Sequence, residues 1–337
     1  MDINLLEKLC NINSASGDEE NVRKFIIDEI RDYIDELEVD ALGNIIAFKR
    51  GLKPRSKKLM VCAHMDEVGF IVTHITKDGY IKFSRVGGVD SNILLGKRVN
   101  IGKNNVCGII GVKPIHLMDK NDKGEEEVKI SDLYIDIGAS NDEEAIKYVN
   151  LGDYIYFDTK FVLDDNKIIK SKALDDRAGC FILINIIKSE LEFDTYFAFT
   201  TQEEIGARGG KVASYKINPD SCIVVESTTA FDMSEEDNDI CSINKGAVVS
   251  FMDRGTIYDK EYFNMALDFS KTGEKVQIKK GVCGGNDSSK IHISRNGVRT
   301  IAISLPCRYI HSAMSIALVE DVKSVESLTR FMMEKII

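Results

Sequence analysis

Tryptophan is absent from this 337-residue chain, and proline and histidine are scarce, with four and five copies. With so few imidazoles, each one near an acid carries information. The eight cysteines (10, 62, 107, 180, 222, 241, 283 and 307) contain no C-x-x-C pair, which excludes the spacing of a zinc ribbon or a dithiol redox centre. Most sit in apolar runs such as LMVCAH and GCFILI, where a thiol behaves as a small hydrophobe. No apolar run approaches the roughly 18 residues a membrane span requires. The opening MDINLLEKLC lacks the basic-then-apolar order of a secretory leader. A reducing cytoplasm is the expected compartment. Basic charge is also in deficit: acids outnumber Lys plus Arg by 54 to 44, a net charge of −10. That balance argues against nucleic acid as a partner, because phosphate neutralisation supplies most such affinity. The one basic run, Lys49 to Lys58, reads as a solvated loop between strands.

What is present suits a large domain plus a smaller one, at the usual ~100–200 residues per domain. A core of that size folds without a structural metal, so any metal belongs to a working site. Residues 16–34 open with Ser16-Gly17-Asp18-Glu19, the pattern of a capping box, before Val22, Phe25, Ile26, Ile30, Tyr33 and Ile34 at helical spacing. Strands are expected around residues 38–39 and 44–48, with a turn at 42–44, and a buried strand over 58–63. Residues 69–163 consist of short β-branched or aromatic segments separated by Gly, Asp and Asn, with one helical stretch at 142–149. That describes an inserted β-rich module, a small barrel or sandwich. The acidic stretch 119–127 would be a hairpin tip within it. Helices are then expected over 176–189, 206–215 and 319–336, and strands over 196–200, 222–225 and 300–305. Alternating strands and helices imply a mostly parallel sheet, and the expected class is α/β with a mixed central sheet flanked by helices, built from residues 1–68 and 164–337 and interrupted by the insert.

Polar residues recur at strand ends: His64 in AHMDE, Glu203-Glu204 in TTQEE, Glu226 in VVES and His311 in RYIHS, with Asp175 in ALDDR before a helix. Ligands bind at that edge of open α/β sheets. Taken singly, each has a plain alternative: a hydrogen-bonded histidine, a solvated acid pair, or a helix cap at Asp175-Asp176. Jointly they supply what a two-metal hydrolase needs. Two cations ~3.5–4 Å apart require a shared carboxylate, and each then takes a His and a further acid, a mixed set suited to Zn²⁺, Co²⁺ or Mn²⁺. Asp66, two residues past His64, can hold the imidazole in one tautomer. Of the adjacent Glu203 and Glu204, one can bind metal while the other acts as general base.

AHMDEVGF, KALDDRAGC, TTQEEIGARGG, VVEST, GGNDSS and LPCRYIHS, in this order, resemble the tetrahedral (TET-type) metallo-aminopeptidases, a family with glutamyl and deblocking members. The resemblance runs from SASGDEENV to the final helix and includes the inserted β-domain. It implies that Asp175 bridges both metals, that His64 and Glu226 complete one site, and that Glu204 and His311 complete the other. Glu203 would be the base and Asp66 the residue orienting His64. It also implies a metal-bridging hydroxide acting on short peptides, and a homo-oligomer, often a tetrahedral dodecamer, with the insert making subunit contacts. Two departures stand out: Glu226 replaces a common Asp, and His311-Ser312-Ala313-Met314 replaces His-Ser-Pro-acid. Rival readings are a related deacylase or carboxypeptidase-like enzyme, a non-catalytic metal-binding shell protein, and a glycosidase. The last would want two opposed carboxylates without histidine ligands. Gly206 to Lys211 fails the phosphate-loop spacing; its glycines are expected to let backbone pass close to the site. Gly284-Gly285-Asn286-Asp287 reads as a turn, and His74, His116 and His292 lack acidic neighbours in sequence.

Overall fold

The computed structural model describes residues 1–112, 128–233 and 240–336. Leu5, Leu6, Leu9 and Cys10 bury one face of α1 (Ile3–Asn11), whose first turn Asp2 caps by accepting from the Leu5 N–H. The next helix, α2 (Glu20–Ile30), buries Val22, Ile26 and Ile30. It begins later than residue 16, and the capping box does not form. Glu19 takes the N-cap position without a side-chain cap bond. Ser16 Oγ instead donates to Asp66 Oδ2 at 2.6 Å, and Glu19 Oε1 accepts from the N–H groups of Gly17 and Gln202. Long-range partners outcompete the local ones.

A hairpin of β1 (Glu36–Val39) and β2 (Ile45–Lys49) follows. Its turn is held by Asp40 Oδ1, which accepts from the N–H groups of Leu42, Gly43 and Asn44. The basic run after β2 is more than solvated loop. Lys49 Nζ donates to the carbonyls of Ile187 and Ser189, and Arg55 to those of Met333 and Ile336. These cations satisfy the last carbonyls of two helices, where the dipole favours positive charge. The chain then enters β3 (Leu59–His64), buried at every position.

The expected β-rich insert is a closed antiparallel barrel. Its strands are β4 (Gly69–Ile75), β5 (Ile81–Val86), β6 (Arg98–Ile101), β7 (Val106–Val112), β8 (Leu133–Asp136) and, after the short α3 (Asp142–Ala145), β9 (Tyr154–Phe157). They close in the order β4-β5-β8-β7-β6-β9. Alternating residues fill the interior, with Phe70, Phe83 and Phe157 meeting edge to face. The helix expected over 142–149 spans only the four residues of α3, and the acidic stretch 119–127 and His116 lie outside the described residues. Residues 162–163, at the end of the expected insert, form β10 (Val162–Leu163), which pairs outside the barrel with β11 (Ile168–Ser171).

The α/β portion resumes with α4 (Leu174–Ile187), β12 (Thr195–Thr200), α5 (Arg208–Ile217) and β13 (Ser221–Thr229). It continues through β14 (Ala247–Ser250), α6 (Lys260–Asp268), β15 (Val276–Lys279), α7 (Ser288–Ile291), β16 (Arg299–Cys307), β17 (Ser315–Leu318) and α8 (Val319–Lys335). Among the described residues, eight strands form one sheet ordered β1-β2-β12-β3-β13-β16-β14-β15. It is mixed, as expected: the central β12, β3, β13 and β16 run parallel, and antiparallel joints lie at β2·β12 and β14·β16. The central strands are buried on both faces, which explains their unbroken apolar runs. α4 packs centrally: Phe181, Leu183 and Ile187 lie in the same core as Met60, Ile223 and Ile301. Their carboxyl ends point the same way, so the loops leaving them converge. No described helix is long and apolar enough to cross a membrane.

Candidate metal centre and active site

Two imidazoles and a bridging acid define the centre. His64, the last residue of β3, places Nε2 at 3.2 Å from Asp175 Oδ1 and 3.4 Å from Glu226 Oε1. His311, four residues past β16, places Nε2 at 3.1 Å from Asp175 Oδ2 and 3.3 Å from Glu204 Oε2. Asp175 thus turns one oxygen to each half of the centre. Asp175 and Asp176 depart from helical backbone angles in the first turn of α4, and the peptide bond joining them is cis. His311 adopts a left-handed φ of 58°, a conformation that costs roughly 1–3 kcal/mol and collects at working sites. Glu226 is not at a strand end as expected, because β13 continues to Thr229.

Asp66 connects the two halves. Its main-chain oxygen lies 3.0 Å from His64 Nδ1 and its Oδ1 3.4 Å from the same nitrogen, so backbone and side chain together face the ring nitrogen remote from Asp175. The Asp66 carboxylate also accepts from the N–H groups of Glu203 and Glu204 at 3.0 and 3.1 Å and from Ser16 Oγ. One buried acid therefore fixes both an imidazole and the loop carrying two glutamates. Glu203 lines a cleft of about 330 Å³ together with Asp175, Glu226 and His311. Its carboxylate accepts no hydrogen bond among the described residues.

Two acids went unassigned by sequence reasoning. Asp176 does cap, accepting from the Gly179 N–H, but it is fully buried, and its Oδ2 has no partner among the described residues. Asp176, His64 and Glu226 each offer a ligand atom within 4.8 Å of the others, as do His64, Asp175 and Glu204. The tandem Asp was the only signal. Asp287, in the stretch read as a turn, is buried beneath the site, where its Oδ2 accepts from Thr200 Oγ1. A Cβ on Gly210 would meet its Oδ1 at 2.5 Å, and one on Gly209 would meet the Thr201 backbone at 2.4 Å. Those glycines do admit close backbone approach. His74 is exposed, and His292 Nδ1 lies against the Ser288 carbonyl in its own helix.

The charges in this cluster conflict. Burial pushes the Glu204 and Glu226 carboxyls up to about 8, their histidine neighbours only partly offsetting it. Burial raises Glu203 and Asp176 as well, with nearby acids adding to the effect. Burial alone would also raise Asp175, but contacts to His311 and His64 outweigh it and hold the carboxyl below the usual range. Burial opposes a charge on His311, yet Asp175 and Glu204 lift it to about 9. So many acids cannot all ionise in a dry site without positive charge at its centre. Unpartnered Glu204 Oε1 and Asp176 Oδ2 also point to missing cationic partners. The residues fit a pair of divalent ions in number, in nitrogen-and-oxygen type and in the shared carboxylate.

Known proteins similar to this chain are aminopeptidases. The chain is 31% identical to the lysyl aminopeptidase of Pyrococcus furiosus over 344 residues, which covers 100% of this chain and 98% of that protein. The TET aminopeptidase of a marine sediment Thaumarchaeota archaeon superimposes with a TM-score of 0.94 at 30% identity, covering 99% of this chain and 96% of its own. The TET1 peptidase of Pyrococcus horikoshii, which assembles into a tetrahedron or a large octahedral shell, gives a TM-score of 0.84 at 33% identity, with 98% of each chain covered. The family model for M42 glutamyl aminopeptidases matches residues 43–328. That span holds all of His64, Asp66, Asp175, Glu203, Glu204, Glu226 and His311 and the barrel between the second and third of them, and by it this chain belongs to the M42 glutamyl aminopeptidase family.

Proposed function

We propose that this chain is a metal-dependent aminopeptidase that removes residues from the amino end of short peptides. The observation that carries the reading is Asp175 placed between His64 and His311, each imidazole backed by its own glutamate. His64, Glu226 and one Asp175 oxygen would hold one ion; His311, Glu204 and the other oxygen would hold the second, with Asp176 near the first. Bound there, two divalent ions (Zn²⁺, Co²⁺ or Mn²⁺) would supply Lewis-acid polarisation of the scissile carbonyl and a water whose pKa is lowered toward neutrality.

The chain's own residues supply the rest. Glu203 borders the cleft with its carboxylate uncommitted. It is the group to take the proton from the attacking water and return it to the leaving amine. Asp66 keeps Glu203 and Glu204 in place through their backbone N–H groups, so the base is held ready before substrate binds. The uncommitted Glu203 also favours catalysis over a passive metal-binding shell, which has no need of a spare base.

A homo-oligomer is part of the proposal, with the insert at residues 69–163 as its contact module. Ile109, Ile146, Tyr148 and Leu151 are exposed apolar side chains of that segment, a composition suited to burial against another copy. The assembly of the similar TET1 peptidase supports the same reading. Sedimentation of the purified protein tests it, and a monomer at micromolar concentration would contradict it.

Incubating the metal-loaded protein with aminoacyl-nitroanilides and with N-acetylated amino acids tests the reaction. Release of nitroaniline from free-amine substrates is expected. Cleavage confined to the acetylated panel would assign a deacylase instead.

A further inference from the structure

Glu203 stands on a loop, and among the described residues its carboxylate accepts no hydrogen bond. Its position is therefore set by its main chain. There the three consecutive N–H groups of Gln202, Glu203 and Glu204 all donate to buried carboxylates. Asp66 takes the second and third, one on each oxygen. The first goes to Glu19 Oε1 at 3.1 Å, from 183 positions upstream. Gln202 holds a left-handed φ of 55°, a conformation that a side-chain-bearing residue keeps only where its surroundings enforce it. Glu19 is almost wholly buried and, among the described residues, has no basic partner. Burying an acid in that way is costly, and the contacts it makes in return are the N–H groups of Gly17 and Gln202.

Ser16, three residues before Glu19, donates its Oγ to Asp66 Oδ2 at 2.6 Å, so one short segment reaches both carboxylates that hold the loop. That segment is itself fixed. Ser14 Oγ donates to the Asp18 carbonyl, the Asp18 N–H donates to the Ala15 carbonyl, and Ala15 bridges to Glu67. On its other side lies barrel strand β9, where Tyr156 Oη donates to Asp18 Oδ2. Gly17 has a φ of 93°, and a Cβ there would meet Tyr154 Oη at 2.5 Å. The segment is thus wedged between the barrel and the base loop. A general base must come within roughly 2.6–3.2 Å of the proton it takes, and a misplacement of about 1 Å can cost 10²-fold in rate. We propose that segment 16–19 positions the base: Glu19 pins the loop at Gln202, and Ser16 orients the Asp66 carboxylate that pins the rest. Both are positioning residues that act through Glu203. This role presupposes the aminopeptidase reading with Glu203 as its base.

The test uses the full-length metal-loaded protein and the aminoacyl-nitroanilide that wild type cleaves fastest. Glu19→Ala should lower kcat by about ten- to a hundredfold with KM within about twofold of wild type and bound metal unchanged. Glu19→Gln keeps an acceptor oxygen and should restore most of the lost kcat. Ser16→Ala removes one hydroxyl and should lower kcat in the same direction by a smaller factor. In the metal-free protein, hydrogen exchange over residues 200–205 should be faster in Glu19→Ala than in wild type or Glu19→Gln. Wild-type kcat in a folded Glu19→Ala overturns the proposal. So does an equal loss in Glu19→Gln, a loss confined to KM or to bound metal, or unchanged exchange. Should Glu19→Ala not fold, Ser16→Ala decides, and wild-type kcat there overturns the proposal too. Any of these outcomes with a cleaving wild type leaves the aminopeptidase reading standing, whereas no cleavage by wild type removes both.

Discussion

One oxygen of Asp175 lies 3.2 Å from Nε2 of His64. Its other oxygen is spoken for by His311 at 3.1 Å, so a single carboxylate ties two residues 247 positions apart in the chain (64 and 311). The fold makes this possible because β3 and β16 both flank β13 and run parallel to it. Their carboxyl ends therefore open on the same side, and α4 enters from that side with its first turn opened at Asp175 and Asp176.

That arrangement makes His311 the most informative residue to replace. His311→Ala should lose at least one ion per chain while leaving the sheet intact, because the loop it sits on is outside the strands. Elemental analysis after dialysis against the metal would show the loss. Full occupancy of both positions would remove His311 from the ligand set.

Glu203→Gln separates binding from chemistry. The amide keeps the size of the side chain but cannot accept a proton, so turnover should fall by roughly 10²–10⁴, the usual contribution of a positioned general base. Metal content should stay at the wild-type level, because the acids that face His64 and His311 Nε2 are Asp175, Glu204 and Glu226, and Glu203 is not among them. A near-native rate would move the base elsewhere.

How much of this was legible in the sequence depended on range. His64, Glu204, Glu226 and His311 could be found because each follows or interrupts an apolar run, and the strand period makes such runs visible. The β-rich insert was legible for the same reason, but its closure was not: the pattern fits a barrel or a sandwich equally, and the strand order decides. Ser16 was misread because a capping box is a local pattern, whereas its hydroxyl bonds to Asp66, fifty positions away. Asp176 was given only half its role, since capping Gly179 is local and facing His64 and Glu226 is not.

Glu67 shows the same dependence on distant partners, with a cost in stability. Its Oε1 accepts from Lys172 Nζ at 2.6 Å and from the Ser14 N–H, and Arg177 Nη2 lies 3.8 Å away. All three charged side chains are almost wholly buried. Glu67→Leu would leave two cations in the interior without their anion, and should destabilise the fold by about 3–5 kcal/mol. Urea denaturation of the chelated protein would measure it. A loss below about 1 kcal/mol would mean that water or other acceptors reach the cations.

Glu19 offers a pH-dependent counterpart. Burial lifts its carboxyl from 4.5 to about 7, only partly offset by the N–H groups it accepts from. The folded chain thus binds this proton more tightly than the unfolded one. Stability from this group is greatest below pH 4.5 and declines as pH rises toward 7, where ionisation in the fold catches up. Glu19→Gln retains the acceptor oxygen that takes the Gly17 and Gln202 N–H bonds, and it cannot ionise. Relative to wild type, the metal-free variant should gain roughly 1–3 kcal/mol between pH 4.5 and 7.5, with no comparable gain below that window. Denaturation midpoints taken across the range for both proteins would decide it. A constant difference at every pH would mean that Glu19 titrates as it does in water and that its two hydrogen bonds, not its burial, set its protonation.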